Sequence, residues 1–323
     1  MPSAERALLH RGGRPGTWGS LGLWLDGDGP SDGDYARACE ALARAVGRAA
    51  GIRPGDRVLS LGCGAGDELL LWAREFGAAE VCGVERDPAL AAAARTLLER
   101  QPPPAGTQVQ VLCADAMQLA TLRLPRRRYD RIVCVDAAYH FSPRGPLLRA
   151  AHARLRPGGR LALNDLTLEP PARGGWRSLL RGVLRGAAVL TQVPLSELLP
   201  LPAQRARLRA AGFVDVQSVA LDDAVLGGFA RHVRAQGPRV ARTLWHPDWR
   251  RPALTAALIG PCRAAGLGYA LLSGEATPSA AATDSAERTA LSSSGTPGSA
   301  KAPQYQTRRP GCPCNVCKAC RAA

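Results

Sequence analysis

The stretch Arg57-Val58-Leu59-Ser60-Leu61-Gly62-Cys63-Gly64-Ala65-Gly66-Asp67-Glu68 limits the fold more than any other part of the chain. A short apolar run stops at three glycines spaced two apart, and helix-forming residues follow to Phe76. That order predicts a buried strand, a tight turn and a helix N-terminus. Glycines let a ligand approach the backbone, and the free N–H groups that open the helix face whatever lies there. About twenty residues on, Val81-Cys82-Gly83-Val84-Glu85 reads as a second strand ending in a carboxylate, placed to accept hydrogen bonds from both hydroxyls of a ribose.

Downstream the alternation continues, which marks a parallel sheet covered by helices on both faces. Strands are expected near 57–62, 80–85, 108–113, 130–136 and 158–166. Asp115 falls after the third, in Leu112-Cys113-Ala114-Asp115-Ala116, where it could also cap a helix. Asp136 and the run Tyr139-His140-Phe141 follow the fourth. Ligands of such sheets bind outside the carboxyl ends of the strands. A turn, Leu155-Arg156-Pro157-Gly158-Gly159, leads into the fifth.

Gly62-x-Gly64-x-Gly66, Glu85 and the Leu-x-Pro-Gly-Gly turn together resemble the class I S-adenosylmethionine methyltransferases, in their small-molecule sterol, tocopherol and phosphoethanolamine group. The resemblance covers roughly residues 17–275. It implies a Rossmann-like, seven-stranded α/β fold with a helical lid, an insertion and a disordered C-terminal tail. It further implies S-adenosylmethionine held by Gly62, Cys63, Gly64, Gly66, Glu85, Arg86, Asp115, Ala116 and Asp136, with Asp115 and the next N–H at the adenine. In phosphoethanolamine-type relatives a histidine in the fourth-strand loop partners a tyrosine. His140 with Tyr139 is therefore the expected catalytic pair, and Tyr35 an alternative partner. A structural hydrogen bond at the strand end is the competing role for His140. The expected reaction is methyl transfer to a small-molecule or lipid-like acceptor, at N, O or C. The alternatives are an RNA methyltransferase and a protein that binds the cofactor without turnover.

Three segments are expected around this centre: an N-terminal arm and cap helix (1–50), the cofactor-binding domain (51–275) and a tail (276–323). Trp18 and Trp24 precede a helix at 33–50 that either folds over the cofactor or packs on the sheet. Within the domain, 170–200 reads as a lid. Arg173, Arg177, Arg181 and Arg185 recur every four residues on one helix face, and Trp176, Leu179, Leu180, Val183, Leu184 and Ala187 fill the other. A basic amphipathic helix of this kind also suits peripheral membrane contact through 173–190. Phe213–Val219 and Leu267–Ser273 read as the last strands. Between them lies an insertion (221–265) with Phe229, His232, Trp245, His246 and Trp249, which would complete a substrate pocket or only add packing.

The net charge of +15 suggests nucleic acid. Yet lysine occurs only at Lys301 and Lys318, and the arginines are spread among acids. No base-clamping Asn/Asp-Pro-Pro-aromatic motif stands at Asp136, so no nucleic-acid partner is expected. Asp136 with Asn164-Asp165 is faintly similar to a catechol-type magnesium site in reversed order, and no metal is assigned. Six scattered cysteines in apolar contexts (Cys39, Cys63, Cys82, Cys113, Cys134, Cys262) suit a reducing compartment, and the cytoplasm is expected. No run approaches the roughly 20 apolar residues of a membrane span. After Ser273 the composition turns to Ser, Ala, Thr, Gly and Pro, which cannot support a core. The four thiols of Cys312–Cys320 could hold a zinc ion or take part in redox chemistry, although the loop that normally separates two CxxC pairs is absent.

Overall fold

Apolar parallel strands need cover on both faces, and amphipathic helices on either side supply it. The computed structural model describes residues 9–10, 17–25, 34–169, 176–240 and 247–277. Seven strands make one sheet: β1 Arg57–Leu61, β2 Glu80–Glu85, β3 Gln108–Cys113, β4 Tyr129–Cys134, β5 Leu155–Leu168, β6 Phe213–Ala220 and β7 Leu267–Ala276. Their spatial order is β3-β2-β1-β4-β5-β7-β6. The helices are α1 Asp34–Ala50, α2 Asp67–Arg74, α3 Pro88–Arg100, α4 Arg144–Arg154, α5 Trp176–Thr191, α6 Leu201–Ala210, α7 Gly228–Val240 and α8 Pro247–Ala264.

The strands β1 to β5 run parallel, with Leu59 opposite both Cys82 on β2 and Ile132 on β4. The chain winds outward from β1 in one direction and from β4 in the other. Their carboxyl ends therefore flank the crevice in which sheets of this kind bind ligands. β7 lies between β5 and β6, antiparallel to both.

Strand alternation sorts the core into two layers. Leu59, Leu61, Ile132, Leu161 and Leu163 face α4 and α6 through Leu147, Leu148 and Leu208. Val58, Val133, Ala162 and Leu166 belong to the opposite layer, with Leu42 and Val46 of α1, Trp72, Phe229 and Trp249. Tyr35, Ala38, Leu42 and Val46 recur at helical spacing along α1, and none of the four is more than 1% exposed. Phe229 and Trp249 show the insertion packing into the core through α7 and α8. Trp245, His246, residues 1–8 and the Cys312–Cys320 cluster lie outside the described residues.

One core polar pair carries a stability prediction. Glu68 on α2 is buried and takes a hydrogen bond from the Ser60 hydroxyl. Burial, with Asp67 and Glu85 nearby, raises its pKa from an ordinary 4.5 to about 8. The folded protein thus holds this acid protonated where the unfolded chain ionises it. Its contribution is fully present below about pH 4.5 and is lost as the pH climbs towards 8. Glu68→Gln should remove that penalty and raise stability at pH 7.5, by on the order of 3 kcal/mol, with little effect at pH 4.5. Paired melting curves at the two pH values check it; an equal shift at both would show that ionisation is not the cause.

Candidate active site

The glycine turn is built from two different needs. Gly62, Gly64 and Gly66 have φ of +74°, +55° and +91°, which side-chain-bearing residues rarely adopt. A Cβ on Gly62 would stand 2.8 Å from the Ala137 Cβ, and one on Gly66 2.8 Å from the Ala94 Cβ. Packing therefore excludes side chains at both positions. Gly64 differs: a Cβ there would meet nothing within 4 Å. The Gly62 and Cys63 N–H groups donate to the Val84 carbonyl (2.8 and 3.2 Å), tying the turn to β2. The Cys63 side chain is buried against Gly83, where a Cβ would lie 2.6 Å from its sulfur, so Cys63 can serve a ligand only through its backbone.

Glu85, at the end of β2, accepts the Gly64 N–H on Oε2 and the Asp87 N–H on Oε1, both at 2.9 Å. A carboxylate offers about four lone-pair sites, so one on each oxygen is left over. Asp115 is half-buried and caps the short helical turn Ala116–Gln118, its Oδ1 accepting the Met117 N–H at 2.9 Å. Its Oδ2 has no protein donor among the described residues. Arg86 is exposed, and Ala116 is buried.

Glu85, Arg86, Asp115, Ala116 and Gly62 line one end of a cavity of ≈ 630 Å³. Tyr139, His140 and Phe141 line its middle, and α5 with α8 supply apolar walls at the far end. Glu85 and Asp115 both keep unused acceptor sites, and both line this cavity.

Asp136 closes the other side of the turn. It holds φ +53°, a left-handed conformation that aspartate tolerates better than most residues. Its Oδ1 accepts the Tyr269 hydroxyl at 2.5 Å and its Oδ2 the Leu21 N–H at 2.6 Å, and the Tyr139 phenol also donates to it. Burial raises its pKa to about 6, against the pull of those donors. Thr17 donates to Asp67, at the start of α2, at 2.5 Å. Residues 17–25 thus run from the helix that follows the glycines to the end of β4. Tyr269, Leu21 and Thr17 carried no signal in the sequence. Tyr35 is 1% exposed and donates to the Ser20 carbonyl at 2.8 Å, so it props this segment. Trp24 is buried and packs on His232, with ring centroids 4.6 Å apart.

His140 lines the cavity with its ring centroid 4.6 Å from that of Tyr139. The protein around the ring lowers its pKa, a hydrogen bond to the Gln192 backbone opposes this, and Arg86 and Arg144 add to the lowering. Behind it, Arg144 and Asp165 form a buried ion pair, joined by Gln204 at 3.2 Å from Asp165. Asn164 and Asp165 point to opposite faces of β5. They do not converge with Asp136, and among the described residues no group of three His, Cys, Asp or Glu is placed to hold a metal ion.

Residues 58–159 match the family described as "Methyltransferase domain". Over 171 residues the chain is 30% identical to demethylmenaquinone methyltransferase of Thermus thermophilus, covering 49% of this chain and 74% of that enzyme. The chain belongs to the class I S-adenosylmethionine-dependent methyltransferases. It is also 29% identical over 221 residues to erythromycin 3''-O-methyltransferase of Saccharopolyspora erythraea, 67% of this chain and 68% of that enzyme. Mycolic acid cyclopropane synthase CmaA1 shares the fold at a TM-score of 0.67 and 18% identity, over 84% of this chain and 96% of that one. The cofactor of this methyltransferase is S-adenosylmethionine.

Proposed function

We propose that this methyltransferase methylates a hydroxyl of an apolar small molecule, with His140 taking the hydroxyl proton. The observation that carries the reading is the cavity's change of character along its length. Acids and backbone groups line the Glu85 end, whereas Leu184, Ala188, Leu226, Leu258 and Ile259 line the other, with His140 between. In this reading Glu85 holds the ribose, and Asp115 with the Ala116 N–H holds the adenine. The Gly62–Gly66 backbone takes the amino-acid end, and Arg86 sits at the rim. Asp136 keeps the 17–25 segment closed over the site.

S-adenosylmethionine supplies a methyl group on a positively charged sulfur. What the protein adds is orientation, exclusion of water and removal of one proton. The neutral imidazole accepts the hydroxyl proton on one ring nitrogen while the other donates to Gln192. Transfer to oxygen also accords with the 3''-O-methyl transfer of the erythromycin relative. A cytoplasmic setting fits the buried free thiols Cys39, Cys63, Cys82, Cys134 and Cys262. No helix among the described residues is long and apolar enough to cross a membrane. The reading extends to a peripheral membrane contact through 173–190.

Labelled S-adenosylmethionine offered with total RNA, with protein extract and with a lipid and metabolite extract tests the reading. Label is expected in the lipid and metabolite fraction. Label in RNA alone would overturn it.

A further inference from the structure

Six large apolar side chains are exposed among the described residues, and three of them gather where α5 meets α8. Val189 is 78% exposed, Leu190 55% and Leu254 44%. The two helices pack on one another through Leu184, Leu258 and Cys262, so their exposed residues belong to one surface. Leu190 and Leu254 also line the cavity, which makes this surface the mouth of its apolar end. Side chains of this size cost free energy in water unless something covers them.

The charge on the two helices at the mouth is mainly positive. Arg185 on α5 and Arg250 and Arg251 on α8 are exposed. The sequence of α5 holds no acid, and that of α8 holds only Asp248 against Arg250, Arg251 and Arg263. Arg263 is engaged by Asp223 at 2.9 Å. Apolar tips ringed by arginines suit the boundary of a bilayer, where the tips enter the acyl region and guanidinium groups meet phosphates.

We infer that the α5–α8 mouth docks on an anionic phospholipid surface, so that the acceptor enters the cavity from the membrane. The surface shares Arg185, Val189 and Leu190 with the 173–190 contact proposed above and adds Leu254, Arg250 and Arg251 of the insertion helix α8. The delivery step rests on the proposed apolar acceptor, and the docking deepens the membrane contact proposed through 173–190; neither bears on the methyl transfer itself.

The test is co-sedimentation of the full chain with phosphatidylcholine vesicles, with and without phosphatidylglycerol, in the absence of any acceptor. Val189→Asp, Arg185→Glu and Arg250→Glu alter the surface without touching cavity-lining residues. Retained melting temperature and S-adenosylmethionine affinity show that each variant is folded. The wild-type protein is expected to sediment with the anionic vesicles and much less with phosphatidylcholine alone. Each arginine reversal should weaken partitioning at least about fivefold, and Val189→Asp should weaken it too. Absence of sedimentation, equal binding to neutral vesicles, or undiminished binding by all three variants would overturn the inference. Methylation of a lipid-extract acceptor without vesicle binding would sink the docking and leave the proposed function standing.

Discussion

Glu85→Ala is expected to weaken S-adenosylmethionine binding by on the order of a hundredfold. Hydrogen bonds to a charged group contribute about 1.5–3 kcal/mol each, and a ribose diol offers two. Part of that is offset when water solvates the freed hydroxyls, which leaves about 3 kcal/mol, or roughly two decades in Kd. The same carboxylate accepts the Gly64 and Asp87 N–H groups, so the variant also loosens the turn. Glu85→Gln separates the two effects. Its carbonyl oxygen can still accept, while its charge is gone and one oxygen has become a donor, so intermediate affinity is expected. Calorimetry below the melting temperature of each variant is the measurement. Equal affinity of Glu85→Ala and wild type would remove Glu85 from the nucleoside site.

This pair of features was legible in the sequence because it is local. Three glycines and a carboxylate twenty-odd residues on are fixed by one strand–turn–helix–strand unit, and the parallel register of β1 and β2 brings Gly64 to Glu85. The surroundings of Asp136 were not legible. Besides the nearby Tyr139, its donors come from Leu21 and Tyr269, 115 and 133 residues away, and one of these is a backbone group that any residue but proline would carry.

The insertion was readable as helices but not in its bounds. Pro252 and Pro261 lie inside α8, where local rules would break the helix and packing on α5 and the core keeps it. The periodicity of α5 was informative on its apolar face, since Leu184, Val183 and Ala187 do pack against α8. Its arginine repeat said nothing of the exposed Val189 and Leu190 beside it. Both are ordinary helix-face residues until α8 is in place.

His140→Ala should lower turnover by about 10²–10⁴-fold, the usual contribution of a positioned general base, while S-adenosylmethionine affinity stays within about twofold of wild type. The separation is expected because His140 follows β4, whereas Glu85 and Asp115, the residues proposed to hold the nucleoside, follow β2 and β3. His140→Asn is the sharper variant. It can still donate to the Gln192 carbonyl but cannot take a proton, so a structural histidine would be rescued by it and a base would not. The pH dependence follows from the lowered pKa of the ring. An imidazole whose folded pKa lies below the ordinary 6.5 is neutral and able to accept a proton throughout the neutral range. The acid limb of kcat/KM should therefore fall below pH 6.5, and it should vanish in His140→Asn along with most of the rate. Asp136, with a pKa of about 6, titrates nearby, but it spends its oxygens on Leu21, Tyr139 and Tyr269. Its protonation should loosen the 17–25 segment and appear in S-adenosylmethionine affinity at low pH in the wild type and both variants alike. Full activity in His140→Asn with an unchanged acid limb would return this histidine to a structural role and require another group to take the acceptor's proton.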